Sequence, residues 1–347
     1  MKQYLLSVMK GRKKDLPARL ISWALLPFSF VYGLGVFCHR QFYCLRGVYK
    51  APKPVISIGN LTVGGSGKTP LVVILARYFH EKGLRPNILT RGYMPQALQD
   101  SDEVYMLNEQ IPFVPVLAGG DRVANIKKNQ GALPVDVYIA DDAFQHWPLG
   151  RDLDIVTIDA GNPFGNGYLL PAGTLREPLS ALKRANVIVL TKTKVSGNTQ
   201  ALSSKLKGIN PEALIVESHY KSAGLIDVFS SEALPGDALK GKNVIGFCAI
   251  GDPASFETSL KDTGARILGF LSYLDHHAYQ KEDIQHIMEA CRSKEAGILV
   301  TTHKDAVKLK GFKEEFKGVR LIYLPIQLEV TKGADEFYQK VIAVCRH

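Results

Sequence analysis

The segment Gly64-Gly65-Ser66-Gly67-Lys68-Thr69-Pro70 constrains this chain more than any other. It follows an apolar run, Val55-Ile56-Ser57-Ile58-Gly59, whose pattern predicts a buried strand. It precedes Leu71-Val72-Val73-Ile74-Leu75-Ala76-Arg77-Tyr78-Phe79, which predicts a helix. Strand, glycine-rich turn and helix in that order are the setting of a phosphate-binding loop. Glycines let successive N–H groups face one anion, and the helix N-terminus adds the positive end of its dipole. Lys68 is spaced to reach the β- and γ-phosphates of a nucleotide, and Thr69 to offer its hydroxyl to Mg²⁺. Pro70 suits a first helical turn, where its missing N–H is not needed. The strict pattern asks for glycine at position 62, where this chain has Thr62, followed by Val63. A Gly/Ser turn that binds nothing is the competing reading, and Gly-Lys-Thr in this setting argues against it.

Short apolar runs alternate with helical patterns through residues 51–220. Strands are expected at Val55–Ile58, Asn87–Thr90, Val114–Leu117, Val135–Ala140, Ile155–Ile158, Val187–Thr191 and Ala213–Glu217. Helices are expected at 70–82, 121–129 and 178–185. Nearly continuous apolarity suits strands covered on both faces of a parallel sheet. The expected class is therefore α/β, phosphate-loop NTPase-like, with a doubly wound and mainly parallel sheet. Around 220–242 the composition turns to Ser, Gly, Asp and Pro, as in a linker. A second, smaller α/β block follows, with strands Val244–Ile250, Ile298–Thr301 and Leu321–Leu324 and helices near 253–263 and 281–293. The organisation expected is a basic segment over 1–50, a nucleotide-binding domain over 51–225, and a smaller domain over 226–347 that closes over the active site.

The charge is uneven. Of a net +10, residues 1–50 carry +8, from nine Lys/Arg against the single acid Asp15. Beside them lies an uncharged apolar run, Leu20–Phe37. Its 18 residues sit at the lower edge of what spans a bilayer, which takes about 20. No small-residue cleavage site follows it, so a signal peptide is disfavoured. A buried core helix is the other alternative, and the basic flanks argue against it. A membrane-anchoring helix over about 20–37, held to anionic lipid by its basic flanks, fits best. Because the phosphate loop must meet cytosolic nucleotide, attachment to the cytoplasmic leaflet is expected. The basic charge is not spread over a folded face with interleaved aromatics, so no nucleic-acid partner is expected. Five cysteines, odd in number and without a C-x-x-C pair, fit a reduced, cytosol-facing protein without structural disulfides best, and no cluster of Cys and His has zinc-ligand spacing.

Several polar constellations sit near expected strand ends. Val135–Ala140 runs into Asp141-Asp142, followed by Ala143-Phe144-Gln145-His146. Carboxylates at the tip of a strand beside a phosphate loop hold Mg²⁺, and like-charged neighbours repel without a cation. A solvated strand end is the bland alternative. Asp102-Glu103, after Thr90-Arg91-Gly92-Tyr93, is either a surface pair or part of the site. Arg176-Glu177 lies in a turn-rich stretch and reads equally as a phosphate contact or a loop salt bridge. Asp275-His276-His277 could form or tune a general base, or be surface histidines. Thr302-His303-Lys304-Asp305 could meet a base or ribose, or simply cap a helix.

Taken in order, these motifs resemble the tetraacyldisaccharide 4'-kinases, the lipid A 4'-kinases of Gram-negative envelopes. The resemblance runs from the N-terminal apolar helix to about residue 310, and Thr62 is usual for that family. Two positions depart from its pattern: Ala143 stands for the usual Gly, and His303 for the usual Glu. The resemblance implies transfer of the γ-phosphoryl group of ATP to the 4'-hydroxyl of a tetraacylated glucosamine disaccharide 1-phosphate, with Mg²⁺. It implies that residues 62–69 with Lys68 hold the phosphates, and that Thr69, Asp141 and Asp142 hold the metal. It implies Asp102 as the base with His276 paired to it, Arg122 and Arg176 as charge stabilisers, and Glu103, His146 and Glu177 lining the site. The implied partners are the lipid A precursor and the inner-membrane surface at its cytoplasmic face, with no obligate protein partner. A phosphate-loop GTPase or metallochaperone-type ATPase, acting as a switch at the membrane, is the alternative. Thr191-Lys192-Thr193-Lys194 is a poor match to a guanine-reading Asn-Lys-x-Asp, because the terminal acid is missing.

Overall fold

The computed structural model describes residues 2–92, 102–197, 199–275 and 277–346. Two helices open the chain, α1 (Lys2–Met9) and α2 (Leu16–Arg46). The second is 31 residues long, well beyond the 20–37 expected, because Cys38–Arg46 holds no helix breaker and ends at Gly47 with φ 82°. Then come β1 (Val55–Asn60), α3 (Lys68–Glu81), β2 (Pro86–Thr90), α4 (Asp102–Gln110), β3 (Val116–Ala118), α5 (Arg122–Asn129), β4 (Val137–Asp141), β5 (Leu153–Asp159), β6 (Val187–Thr191), α6 (Thr193–Ser196), α7 (Gln200–Ile209) and β7 (Leu214–Ser222). A 3₁₀ turn, Leu179–Arg184, replaces the helix expected at 178–185. The remainder is β8 (Leu225–Asp227), β9 (Ala233–Leu234), β10 (Asn243–Cys248), α8 (Pro253–Lys261), β11 (Arg266–Ser272), α9 (Lys281–Ser293), β12 (Ile298–Thr302), α10 (His303–Leu309), β13 (Arg320–Leu324), β14 (Ile326–Lys332) and α11 (Ala334–Ala343).

The first sheet has the order β14-β7-β6-β5-β1-β4-β2-β3. From β7 to β3 every neighbouring pair is parallel. The central strands β1, β2, β4 and β6 are buried along their whole length, as strands covered on both faces must be. The strand before the phosphate loop lies beside the strand that ends in the acids, with Ile58 of β1 in register with Asp141 of β4. On its other side β1 meets β5, with Asn60 opposite Thr157. The ligand crevice of such a sheet lies at the carboxyl ends of these strands.

The chain divides into two compact units, residues 1–219 with 330–347, and residues 220–329. The expected second domain ran on to residue 347. Residues 330–347 instead belong with the first unit, where Phe337 and Val341 of α11 are buried and the Tyr338 ring lies 4.5 Å from that of Tyr78. The second unit carries its own sheet, β11-β10-β12-β13-β8-β9. Its first four strands are parallel, and β8 and β9 add antiparallel at one edge.

Candidate active site

The phosphate loop begins where β1 ends. Gly67 caps α3 with φ 87° and ψ 21°, a left-handed conformation that glycine adopts without the steric penalty of a Cβ. Gly65 and Gly64 face open space. Side chains from the neighbouring strands hold the loop in place. Thr157 of β5 donates to the Gly59 carbonyl at 3.2 Å, and its hydroxyl lies 2.8 Å from that of Ser66. Thr191 donates to the Ser66 carbonyl at 3.1 Å. The buried Lys192 reaches the Gly65 carbonyl at 3.3 Å and pairs with Asp159 at 2.5 Å. No motif in the sequence singles out Thr157 or Asp159 for this role, and Thr191 and Lys192 stand out there only as a weak match to a guanine-reading motif. The available clue was polar residues at strand ends in otherwise apolar strands.

The acidic turn is built on the adjacent strand. Asp142 follows β4 with φ 47°, a left-handed conformation that Asp tolerates better than most residues. The next residues fold back onto β1, with Ala143 N–H donating to the Ile58 carbonyl at 3.2 Å. Phe144 lies so close to Gly59 that a Cβ there would come 2.4 Å from the Phe144 Cβ. Ala143 is buried and is not among the residues with positive φ. Its backbone therefore does not require the glycine usual in the resembling family.

Three charged groups converge at the mouth of the loop. Lys68 Nζ lies 3.4 Å from Asp142 Oδ1. Arg176 Nη1 donates to both carboxylate oxygens of Asp142, at 2.9 and 3.0 Å. Burial works against the charge of Asp142, but Lys68 and Arg176 outweigh it and hold its carboxyl below the usual range. Arg176 arrives here because its segment pairs with the start of the loop. Arg176 N–H donates to the Leu61 carbonyl at 2.7 Å, and Val63 N–H to the Thr174 carbonyl at 2.8 Å. Thr62 thereby bridges to Leu175.

Other expected site residues take supporting positions. Arg122, 2% exposed, donates to the backbone carbonyls of Asp141 and Asp142 at 2.5 and 3.3 Å. It holds the acidic turn from beneath, and burial lowers its pKa despite the nearby Asp141 and Asp142. Glu177 is buried and takes a double contact from Arg184, both at 3.0 Å, and one from Gln145 at 3.1 Å. Arg184 in turn covers the rings of Phe144 and Trp147 at 4.3 and 4.5 Å. Burial, with Arg122 and Arg151 nearby, pushes the His146 pKa down to about 4, so this ring is neutral at pH 7.

The side chains of Asp102 and Glu103, at the start of α4, lie outside the described residues, as do Tyr93 and His276. In the second unit, Lys304 pairs with Asp275 at 3.2 Å, and Lys308 donates to the His277 carbonyl at 3.1 Å. Asp305 N–H donates to the Thr302 hydroxyl at 3.2 Å, so the cap reading of that motif holds. His303 stacks on Tyr323 with ring centroids 4.8 Å apart.

The profile of the family LpxK, tetraacyldisaccharide-1-P 4'-kinase, matches residues 21–345. A tetraacyldisaccharide 4'-kinase of Halothermothrix orenii is 35% identical over 371 residues, covering 96% of each chain. One of Geobacter metallireducens is 37% identical over 331 residues, covering 90% of this chain and 93% of the other. The structure also matches a crystal structure of LpxK from Aquifex aeolicus in complex with ATP. The TM-score is 0.73 at 30% identity, covering 94% of this chain and 99% of that one. With a phosphate loop whose lysine meets the acid just after the neighbouring strand, and relatives of one activity along nearly its whole length, the chain belongs to the tetraacyldisaccharide 4'-kinase family.

Proposed function

We propose that this chain transfers the γ-phosphoryl group of ATP to the 4'-hydroxyl of a tetraacyldisaccharide 1-phosphate at the cytoplasmic face of a bacterial inner membrane. The observation that carries the reading is the convergence of Lys68, Asp142 and Arg176 at the mouth of the phosphate loop. Phosphoryl transfer is mostly positioning and charge neutralisation, and this cluster supplies both. The Aquifex relative bound to ATP supports ATP as donor. An incoming triphosphate takes over from Asp142 as the counter-charge of Lys68 and Arg176. Loop amides from Gly64 to Thr69 add donors at the helix N-terminus, while the Val63 N–H is held by the Thr174 carbonyl.

The donor set at the strand end suits a hard divalent cation. Thr69 offers a hydroxyl and Asp141 and Asp142 offer carboxylates, the oxygen ligands that Mg²⁺ prefers. When bound, Mg²⁺ supplies neutralisation of charge on the β- and γ-oxygens. Arg122 keeps the acidic turn in shape through its carbonyls, and the neutral His146 adds no charge. Asp102 as base and His276 as its helper are carried over from the resemblance. If the two act as a unit, the loss from Asp102→Ala and His276→Ala together should fall short of the sum of their single effects.

Helix α2 supports the membrane surface as the workplace. Trp23, Phe28, Phe30, Val31 and Phe37 are exposed on it, while Ala18 and Ser29 are buried. A helix with protein on one face and aromatic, apolar residues on the other fits the bilayer interface. Lys10, Arg12, Lys13 and Lys14 precede it and favour anionic lipid. An acceptor with four acyl chains resides in that same layer.

The test is transfer of labelled γ-phosphate to the lipid acceptor in vesicles, with ATP and GTP compared. The reading expects labelled lipid from ATP and far less from GTP. Nucleotide hydrolysis without labelled lipid, or a preference for GTP, would favour a switch protein instead.

A further inference from the structure

The N-terminal helices hold the segment that delivers Arg176 to the site. Ser29 is 5% exposed on a helix whose neighbours Phe28 and Phe30 are 63% and 75% exposed. Its hydroxyl donates to the Leu169 carbonyl at 2.9 Å and accepts the Ala172 N–H at 3.0 Å. One turn on, the Tyr32 hydroxyl donates to the Arg176 carbonyl at 3.2 Å. Next to Tyr32 in the chain is Gly33, where a Cβ would come 2.9 Å from Leu169 Cδ1. Residues 29, 32 and 33 share one helical face, so this face of α2 is shaped to the 169–176 segment.

The upstream part of the same segment is held by α1 and the residue after it. Asn166 N–H donates to the Met9 carbonyl at 3.1 Å, and the Asn162 amide to the Lys10 carbonyl at 3.0 Å. Downstream, the segment pairs with Leu61 and Val63 of the phosphate loop. An unbroken series of hydrogen bonds therefore runs from the lipid-facing helix through the Arg176 backbone to the phosphate loop.

We propose that Ser29 and Tyr32 are positioning residues for phosphoryl transfer: through the 169–176 segment they set the place of Arg176 beside Asp142, so the anchor helix is part of the catalytic framework. This rests on the reading of Arg176 as a group that acts on phosphate. Ser29 also reaches the Leu25 carbonyl of its own helix at 3.3 Å, which would satisfy a serine in lipid, but the shorter bonds to Leu169 and Ala172 have no use on a helix that only binds lipid. A tyrosine aimed at one backbone carbonyl has no such use either.

The test uses the full chain with ATP and lipid acceptor in vesicles. Tyr32→Phe and Ser29→Ala each remove a hydroxyl and leave the packing of α2 nearly unchanged. Each should lower kcat about tenfold, with KM for ATP and vesicle binding unchanged. In an Arg176→Ala background Tyr32→Phe should have no further effect, because its route is already cut. Unchanged kcat in both single variants would overturn the proposal. So would an equal loss with and without Arg176, or a kcat loss that merely tracks lost vesicle binding. If Arg176→Ala alone leaves kcat intact, it is the reading of the site that fails, and the cycle separates the two failures.

Discussion

Lys68 and Asp142 face each other at 3.4 Å, the lysine of the phosphate loop against the acid that follows the neighbouring strand. Arg176 donates to both oxygens of the same carboxylate. Two cations share one anion, which leaves a local excess of positive charge for a phosphate to fill. Asp142 thus has a role without nucleotide as well as the metal role expected with it.

Opposite effects on binding and turnover should separate the two partners. Lys68→Ala should weaken ATP binding and lower kcat by about 10²–10³-fold. Asp142→Asn should bind metal-free ATP as tightly as wild type or more so, since it removes a competing anion, yet lose turnover with Mg²⁺. Displacement of a fluorescent ATP analogue, with and without EDTA, measures the first quantity and lipid phosphorylation the second. Asp142→Asn binding metal-free ATP as weakly as Lys68→Ala would contradict the shared-anion arrangement.

Gly59→Ala should damage both fold and site. The new Cβ would meet the Phe144 Cβ at 2.4 Å and its backbone N at 2.8 Å, so backbone must move. Overpacking of this kind costs about 1–3 kcal/mol. The displaced turn carries Asp141 and Asp142, so activity should fall even where the protein stays folded. Chemical denaturation and turnover at a permissive temperature check this, and wild-type values in both would refute the close approach.

The neutral His146 makes stability depend on pH in a defined window. Its folded pKa is about 4, against about 6.5 for an unperturbed histidine. Between those values the unfolded chain binds a proton that the folded chain refuses. This contribution is therefore complete above pH 6.5 and is lost as pH falls toward 4. His146→Gln should lose less stability than wild type between pH 7 and pH 5. Denaturation midpoints at both values decide the matter, and equal losses would count against it.

Glu177→Ala should unfold the protein more readily. Glu177 is buried, and its loss strands the Arg184 guanidinium, whose side chain is only 16% exposed. Removing one partner of a buried pair costs about 3–5 kcal/mol. Activity should be lost through stability, with normal ATP affinity in the folded fraction. A wild-type melting profile with defective ATP binding would point to a direct contact with ligand.

The parts legible in the sequence were those fixed by local pattern. The strand at Val187–Thr191 and the helix at 281–293 match residue for residue, because continuous apolar runs and a 3.6 period leave little choice. The phosphate loop was legible because its glycines, lysine and threonine are contiguous. Less legible was what depends on contacts between distant residues. β11 and β14 escaped because their residues are half-exposed and interrupted by glycine or charge. Nothing local says that residues 330–347 rejoin the first unit. The resemblance implies Arg122 as a charge stabiliser and Glu177 as lining the site; what no local pattern reveals is their burial in hydrogen bonds whose partners lie 19 and 32 positions away, at Asp141 and Gln145. Ser29 and Tyr32 looked like ordinary members of an apolar helix, and only the fold brings them to Leu169 and Arg176.

The central claim is that a triphosphate replaces Asp142 as the partner of Lys68 and Arg176. A crystal structure with a non-hydrolysable ATP analogue tests it directly. The account predicts terminal phosphate oxygens within hydrogen-bonding distance of Lys68 Nζ and of the Arg176 guanidinium, with the Lys68–Asp142 contact opened beyond 4 Å, the ordinary limit of an ion pair. A nucleotide bound elsewhere, or one bound here with the Lys68–Asp142 pair still closed, would contradict it.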